Sequence, residues 1–438
     1  MQEKKRTVWN FFDRIEGDKV VWIISLMLIL ISIVCIFSST SRLLRGSQTR
    51  LDLVRNQLFV VAGGIALILI CYNIRNLEFF RRVSKWGFFI SLALLLPLVA
   101  KVDTTFIKSV EINGARRILQ LGRLQIHVYE VVKVAMVMYT AWAMDALKRG
   151  KLKGPGTLSG KKILNIYAPY LIVCGLTALG SNSAAILLGA LLFIVMLLGG
   201  ANFKELFLIT VAAAVVGGGT LLITNGGRLN TLKSRFQKNE KYYEMKADAA
   251  PAGSQEFYDA IDTIRQQYSA RIAIKQGGIL GKGPGQSTQR YVVPDYSEDF
   301  MYSFIVEEYG LLGALAVIIL YVSLMARGSI IARNCGRDLF AKLAVAGLCL
   351  LITGQAFLHM LVNADMAPMT GQTLPLISHG NSAFLCFSLA FGIILSFSRI
   401  AQKRIEREAQ QLMESNDNVK AGLEELDEFE NSDEDGIQ

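Results

Sequence analysis

Asp299 stands a few residues after Pro294 and directly before a long apolar run, where a carboxylate meets both water and a lipid-borne molecule. A base there could take a proton from an amphiphile, although aspartate before a helix more commonly serves as its N-cap. Glu307 and Glu308 follow eight and nine residues later, about 12 to 14 Å along a helix, a depth at which a carboxylate needs a partner or a water-filled cavity. The stretch Gly277-Gly278-Ile279-Leu280-Gly281-Lys282-Gly283-Pro284-Gly285-Gln286-Ser287 has the backbone freedom to turn N–H groups toward an anion. It fits neither the nucleotide P-loop nor the dinucleotide fingerprint, so a plain flexible turn is an equal reading. Glu130 and Lys133, three residues apart, fall on one helix face and can pair, which lessens the cost of burying either charge. Arg116 and Arg117 could hold a pyrophosphate, or contact lipid headgroups at a membrane edge. His127, His359 and His379 are too scattered to make a protein-built zinc site.

The elements that must position these residues are membrane helices. Of 438 residues 52% are hydrophobic and 19% charged, and the excess apolar content is gathered into runs such as 20–39 and 183–200, long enough to cross the hydrocarbon. The net charge of +10 is spread over many short loops and forms no stripe, which argues for topology and against a nucleic-acid partner. The six cysteines lie in or beside the apolar runs, so no disulfide framework is implied. The first apolar run is of full span length without a small-residue cleavage site, and is expected to remain as an anchor.

Hydropathy predicts an all-α polytopic membrane protein with about ten spans, near 20–39, 57–73, 86–101, 126–146, 164–181, 183–200, 204–224, 302–326, 342–364 and 382–399. An excess of Lys and Arg on alternate segments places both termini in the cytoplasm, against the dissent of Arg42, Arg45, Arg50 and Arg55 in the first outer loop. The chain then divides into a cytoplasmic segment 1–19, a membrane domain 20–400 and a tail 401–438 whose acidic composition predicts disorder. A large extracytoplasmic loop, 225–301, separates spans seven and eight, too long for a simple connector. Within it Phe257, Ile261, Ile264, Tyr268 and Ile272 recur at helical spacing, which predicts an amphipathic helix on the membrane surface or against neighbouring spans.

Three stretches together resemble the SEDS family of bacterial cell-wall elongation, division and sporulation proteins. The first runs from Ala273-Ile274 through Gly277-Gly278, Gly281, Gly283, Gly285, Ser287 and Pro294 to Asp299-Phe300, ending Glu307-Glu308-Tyr309-Gly310-Leu311-Leu312-Gly313. The second is Pro368-Met369-Thr370-Gly371-Gln372-Thr373-Leu374-Pro375-Leu376-Ile377-Ser378, followed by Gly380 and Ser382. The third is Asn113-Gly114-Ala115-Arg116-Arg117 with Glu130 and Lys133. The Thr370 to Pro375 segment looks more like the division branch than the elongation branch. The chain departs from the family pattern at Ile118, His127-Val128, Ser181-Asn182, His359 and His379-Gly380-Asn381, none of which touches Asp299.

The resemblance implies polymerisation of lipid II, a disaccharide-pentapeptide on undecaprenyl pyrophosphate, into glycan strands at the inner membrane, with Asp299 as the essential acid. On that reading Asp299 acts as general base on the acceptor sugar 4-hydroxyl. Lys282, Gly281, Gly283, Gly285, Ser287, Arg117, Glu307 and Ser378 are the substrate-binding candidates, and Glu130 with Lys133 a structural ion pair. A divalent cation, Mg²⁺ or Mn²⁺, is an optional addition to the charge on the leaving pyrophosphate. The implied partners are a class B penicillin-binding transpeptidase and other divisome proteins. The competing readings are a lipid II flippase, an elongation-type polymerase, or a scaffold that activates a transpeptidase.

Overall fold

Long apolar runs can satisfy their backbone in lipid as α-helices, and the computed structural model is built from helices accordingly. It describes residues 16–39, 50–104, 107–112, 115–122, 124–152, 157–212, 254–291 and 296–434, with the isolated residues Ala249 and Pro251. In chain order the elements are α1 (Lys19–Ser39), α2 (Arg50–Asn73), α3 (Leu77–Val99), β1 (Ile107–Ile112), β2 (Ala115–Leu121), β3 (Leu124–His127), α4 (Val128–Lys148), α5 (Leu158–Gly180), α6 (Asn182–Leu198), α7 (Gln255–Gly277), α8 (Tyr296–Asp299), α9 (Met301–Asn334), α10 (Leu339–Asn363) and α11 (Asn381–Glu434). Among the described residues seven helices, α1, α2, α3, α5, α9, α10 and α11, are long and apolar enough to cross a membrane. Two further expected spans are present as α4, which carries Glu130, Lys133, Asp145 and Lys148, and α6, which has 17 residues. The seventh expected span, 204–224, is helical over 203–212 and then passes outside the described residues. So does most of the large loop before α7.

The chain is not purely helical, as the sequence reading had it. β1, β2 and β3 form a three-stranded antiparallel sheet between α3 and α4. The register Ile112↔Ala115 leaves two residues, Asn113 and Gly114, between the first pair of strands. Asn-Gly is the strongest short hairpin signal in a sequence. The second pair closes at Leu121↔Leu124 with Gly122 at φ +60°, a backbone conformation glycine adopts without strain. Ile118 and Leu119 are buried and Arg117 is carried between the sheet and the helices.

One further expectation is corrected. The tail, expected to be without structure, continues α11 as helix to Glu434. Its Glu, Gln, Lys, Arg, Ala and Leu content is strongly helix-forming, and ties four residues apart support it, from Arg404 to Glu408 and from Gln402 to Glu406. The loop helix α7 exists where expected, and its described side chains show one face packed on the bundle. Ser269, Ala270 and Ala273 are buried against the body while Tyr268 is half exposed, because small side chains let two helix backbones approach closely.

At the end of the bundle where α1 begins and α11 leaves it, residues 16–18 are tied to α11. The Gly17 amide donates to Gln402 Oε1 at 2.7 Å and the Asp18 amide to Ser398 Oγ at 2.6 Å. Glu16 pairs with Lys403 at 3.0 Å and with Arg399, and Asp18 pairs with Arg327 of α9 at 2.6 Å. Both ends of the membrane domain therefore lie on the same side.

Candidate functional site

Asp299 ends α8, a single turn fixed from outside by backbone and side-chain bonds. The loop that follows α10 holds it: Ser378 Oγ donates to the Glu298 carbonyl at 2.7 Å and the His379 amide to the Ser297 carbonyl at 2.9 Å. Asn363 Nδ2 donates to the Asp299 carbonyl at 3.1 Å. The N-cap of α9 is Phe300, with no side-chain cap of its own. Its first amides are satisfied across the bundle instead: Tyr302 N–H donates to His359 Nε2 at 3.4 Å and Ser303 N–H to Asn363 Oδ1 at 3.0 Å. Two of the first amides of α9 are thus capped from α10. Because His359 Nε2 accepts, its proton sits on Nδ1, which donates to the Gln372 carbonyl at 2.7 Å.

The Asp299 side chain is half-buried and faces a small cleft that is also lined by Arg117, His127, Tyr129, Glu130, Ser181, Glu298 and residues 371–373. Four elements and a loop converge there: β2 brings Arg117, α4 brings Glu130, α8 brings Asp299, the start of α6 brings Ser181, and the 364–380 loop closes the side. The guanidinium of Arg117 lies over Gly371, where a β-carbon would collide with it. Gly371 has φ +59°, so glycine serves there both the turn and the space. Arg117 makes no hydrogen bond or ion pair among the described residues, and its Nε is buried without a partner. A partly buried guanidinium with open donors is a ready site for a phosphate-bearing ligand.

Glu130 is fixed from behind by Lys133, which is 1% exposed and donates to Glu130 Oε1 at 2.8 Å, to Gln372 Oε1 at 2.9 Å and to Gln355 Oε1. All three ammonium protons are used, so the expected ion pair is present and is part of a wider anchor joining α4, α10 and the 364–380 loop. Among the described residues no group of three or more His, Cys, Asp or Glu side chains converges as metal ligands.

The remaining sequence candidates form a second cluster, around a break in α9. Gly310 has φ 67° and ψ −164°, which interrupts the helix. The 277–283 loop enters the gap and replaces the missing bonds. Lys282 N–H donates to the Glu307 carbonyl at 2.9 Å and Gly283 N–H to the Glu308 carbonyl at 3.0 Å. In return Leu311 N–H donates to the Gly278 carbonyl at 2.9 Å and Leu312 N–H to that of Ile279 at 3.3 Å. Inside a membrane each of those groups would otherwise go unsatisfied. The Gly285 amide donates to Ser38 Oγ at 3.0 Å. The amides expected to cradle an anion are committed to the fold itself.

Glu307 is fully buried and collects Lys282 Nζ at 2.7 Å, Ser287 Oγ at 2.5 Å, the Thr288 amide at 2.9 Å and the Tyr296 hydroxyl at 3.3 Å. Burial, and next the neighbouring Glu307, push the Tyr296 phenol well above its ordinary range, so it stays neutral and donates. Lys282 Nζ also donates to Gln276 and Thr288, which leaves it no free proton. Lys282, Gly281, Gly283, Gly285, Ser287 and Glu307 thus sit apart from the cleft, linked to it through Tyr296 at the start of α8. Lys282→Met is expected to lower stability by about 3 kcal/mol by leaving a buried carboxylate without its cation, and Glu307→Gln in the same chain to restore most of it. Thermal unfolding in detergent checks this; unchanged unfolding with weakened binding of a pyrophosphate lipid would instead make Lys282 a ligand contact.

Sequence reasoning overlooked Asn363, Gln355 and Gln372 as positioning groups, and read His359 as a failed metal ligand and a departure from the family pattern. Gln372 lay inside a motif already singled out. Asn363 and Gln355 sit in an apolar span, where an amide side chain is costly enough to signal a partner.

The fold and cleft define a multi-pass membrane protein with an acid and an arginine gathered at one end of its helices. Residues 18–403 match the family FTSW_RODA_SPOVE, described as "Cell cycle protein", and the chain belongs to that family. It is 26% identical over 405 residues to the "Probable peptidoglycan glycosyltransferase FtsW" of Enterococcus hirae, covering 91% of this chain and 96% of that protein. To the protein of the same name from Caulobacter vibrioides it is 40% identical over 141 residues, 32% of this chain and 36% of that one. Its fold resembles a chain from a structure described as "Structural coordination of polymerization and crosslinking by a peptidoglycan synthase complex", with TM-score 0.63, 19% identity, and 88% and 98% of the two chains covered.

Proposed function

We propose that this chain is a peptidoglycan glycosyltransferase that polymerises lipid II on the outer face of the bacterial cytoplasmic membrane, with both termini in the cytoplasm, and that it serves division. The observation that carries the reading is that Asp299 and Arg117, which makes no hydrogen bond or ion pair among the described residues, line one cleft. Names of family relatives and the three motif stretches support the substrate. In the proposed step the Asp299 carboxylate accepts the proton of the acceptor sugar 4-hydroxyl as that oxygen bonds to the donor's anomeric carbon. The carbon–oxygen bond to undecaprenyl pyrophosphate breaks, and the leaving group departs with the bonding pair. Arg117 stabilises the pyrophosphate as its charge grows. Glu130, held by Lys133, sets the opposite wall, and Ser378 acts through α8 by fixing the turn that carries Asp299. A class B penicillin-binding transpeptidase and other divisome proteins are the proposed partners.

The test is polymerisation of labelled lipid II by the purified protein with its transpeptidase partner. Arg117→Ala is expected to lower strand synthesis about 10- to 100-fold, the cost of one or two hydrogen bonds to a charged group. Arg117→Lys should recover part of it, because a point charge replaces the fork. Undiminished synthesis in Arg117→Ala would remove the pyrophosphate contact. Lipid II crossing a vesicle bilayer without strand formation would replace polymerisation with flipping.

A further inference from the structure

Two bonded pairs mark where the bundle meets the edges of the membrane. At the end where α1 begins, Asp18 pairs with Arg327 of α9 at 2.6 Å. At the opposite end Ser38 of α1 donates to Glu308 of α9 at 2.7 Å. Asp18 and Ser38 stand twenty residues apart, and Glu308 and Arg327 nineteen, so each helix rises about 30 Å between its two polar levels at about 1.5 Å per residue. The hydrocarbon core of a bilayer is about 30 Å thick, and residues 309–326, between those levels, carry no charge. Glu308 therefore stands at the edge of the hydrocarbon on the face away from the start of α1.

The 277–283 loop crosses that edge. Its Gly283 amide is bonded to the Glu308 carbonyl, whereas the carbonyls of Gly278 and Ile279 take the amides of Leu311 and Leu312, about 5 Å further in. At that depth Ile279 and Leu280 are 68% and 76% exposed, beside Leu311 and Leu312 at 60% and 57%. We propose that this turn is a re-entrant segment whose Ile279 and Leu280 side chains are immersed in the acyl chains of lipid, so that part of the loop expected outside the membrane lies within it.

The backbone of the turn suits surroundings without water. The carbonyls of Gly277, Gly278 and Ile279 all accept, and the amides of Gly281, Lys282 and Gly283 all donate, whereas a loop in water leaves many such groups to solvent. The loop's cation is folded back, with Lys282 Nζ on Glu307 at 2.7 Å. Lys275 is exposed in the last turn of α7, one helical turn before the tip, a position from which an ammonium reaches back to the headgroups.

Lipid suits this surface better than a second protein helix does. Helices that pack together in a membrane approach through small residues, whereas the exposed side chains around the tip are Leu and Ile projecting from a turn. Acyl chains conform to such a knob, and they require apolar character of it without requiring a shape. The inference rests on the membrane-spanning fold and stands apart from the reaction proposed above.

The experiment places a nitroxide on Leu280→Cys in the full chain, in phosphatidylcholine bilayer discs. Collisions with oxygen, which concentrates in hydrocarbon, are compared with collisions with a nickel chelate, which stays in water. Ile279→Cys is a second position. Met366→Cys, 76% exposed like Leu280 but beyond the end of α10, is the aqueous reference, and Ile319→Cys, 53% exposed midway along α9, is the lipid reference. The six native cysteines are buried or partly buried, so the introduced thiol is labelled first. The expected oxygen-to-chelate ratio at both tip positions is at least fivefold above that of Met366→Cys and close to that of Ile319→Cys. Because the nitroxide is itself apolar, alkylation of the unlabelled thiol by a charged maleimide is measured as well, and should be at least tenfold slower at Leu280→Cys than at Met366→Cys. Chelate collisions or alkylation as frequent as at Met366→Cys would put the turn in water and overturn the inference. Labels shielded from both oxygen and chelate would also overturn it, and would assign the turn to a contact with a second copy of the chain.

Discussion

Asp299→Asn is expected to reduce glycan strand synthesis by about 10² to 10⁴, the usual worth of a positioned general base. The substitution keeps the size and leaves the turn in place. α8 is held through the carbonyls of Ser297, Glu298 and Asp299. Thermal unfolding should therefore shift little, and binding of lipid II, which draws on Arg117 and the cleft walls, should weaken far less than turnover. Asp299→Ala should lose as much activity. The informative contrast is between rate and binding: a carboxylate needed for proton transfer affects the rate, whereas one needed to hold substrate affects both. Strand synthesis at the unmodified rate in Asp299→Asn, with the protein folded, would eliminate the base and leave the scaffold reading.

Gly310→Ala is expected to destabilise the protein by about 3 kcal/mol or more. Its φ of 67° lies in the left-handed region, which costs a residue with a β-carbon about 1–2 kcal/mol. The added carbon would also run into the backbone of Ile279 and Gly281, and overpacking of this kind adds about 1–3 kcal/mol. Gly281→Ala should behave similarly, since its φ is 80° and its β-carbon would meet the Glu308 carbonyl. Leu312→Ala, at a side chain 57% exposed, is the control and should shift unfolding little. Unfolding profiles in detergent decide the matter, and a Gly310→Ala protein as stable as the control would mean that the loop and α9 are not locked together.

The sequence announced the membrane helices because a span needs a continuous apolar run, and nothing non-local is required to see one. Asp299, Arg117 and Glu130 were also recognisable by type and position. That they share a cleft depends on β2, which carries Arg117 across the bundle, and that hairpin was legible in Asn113-Gly114 but was passed over among the spans. The glycine stretch was found and its use mistaken. Composition reveals that a backbone is free to approach something, without telling whether the neighbour is a ligand or another strand of the same chain. Asn363, His359 and Ser378 work across large separations in sequence, to Asp299, Tyr302 and Glu298, and no local pattern encodes such contacts. The acidic tail reads as disordered by charge and as helical by propensity, and the second property prevails in the structure.

The mended break in α9 makes the 277–283 loop a ruler. Its four backbone bonds to residues 307–312 fix how many residues stand between α7 and α9's gap, whereas Ile279 and Leu280 at its tip are 68% and 76% exposed. Side chains at the tip are therefore free to vary over evolutionary time, but the count is not. One residue gained or lost would slide every donor past its acceptor, so this segment is bound to a constant length while its letters drift.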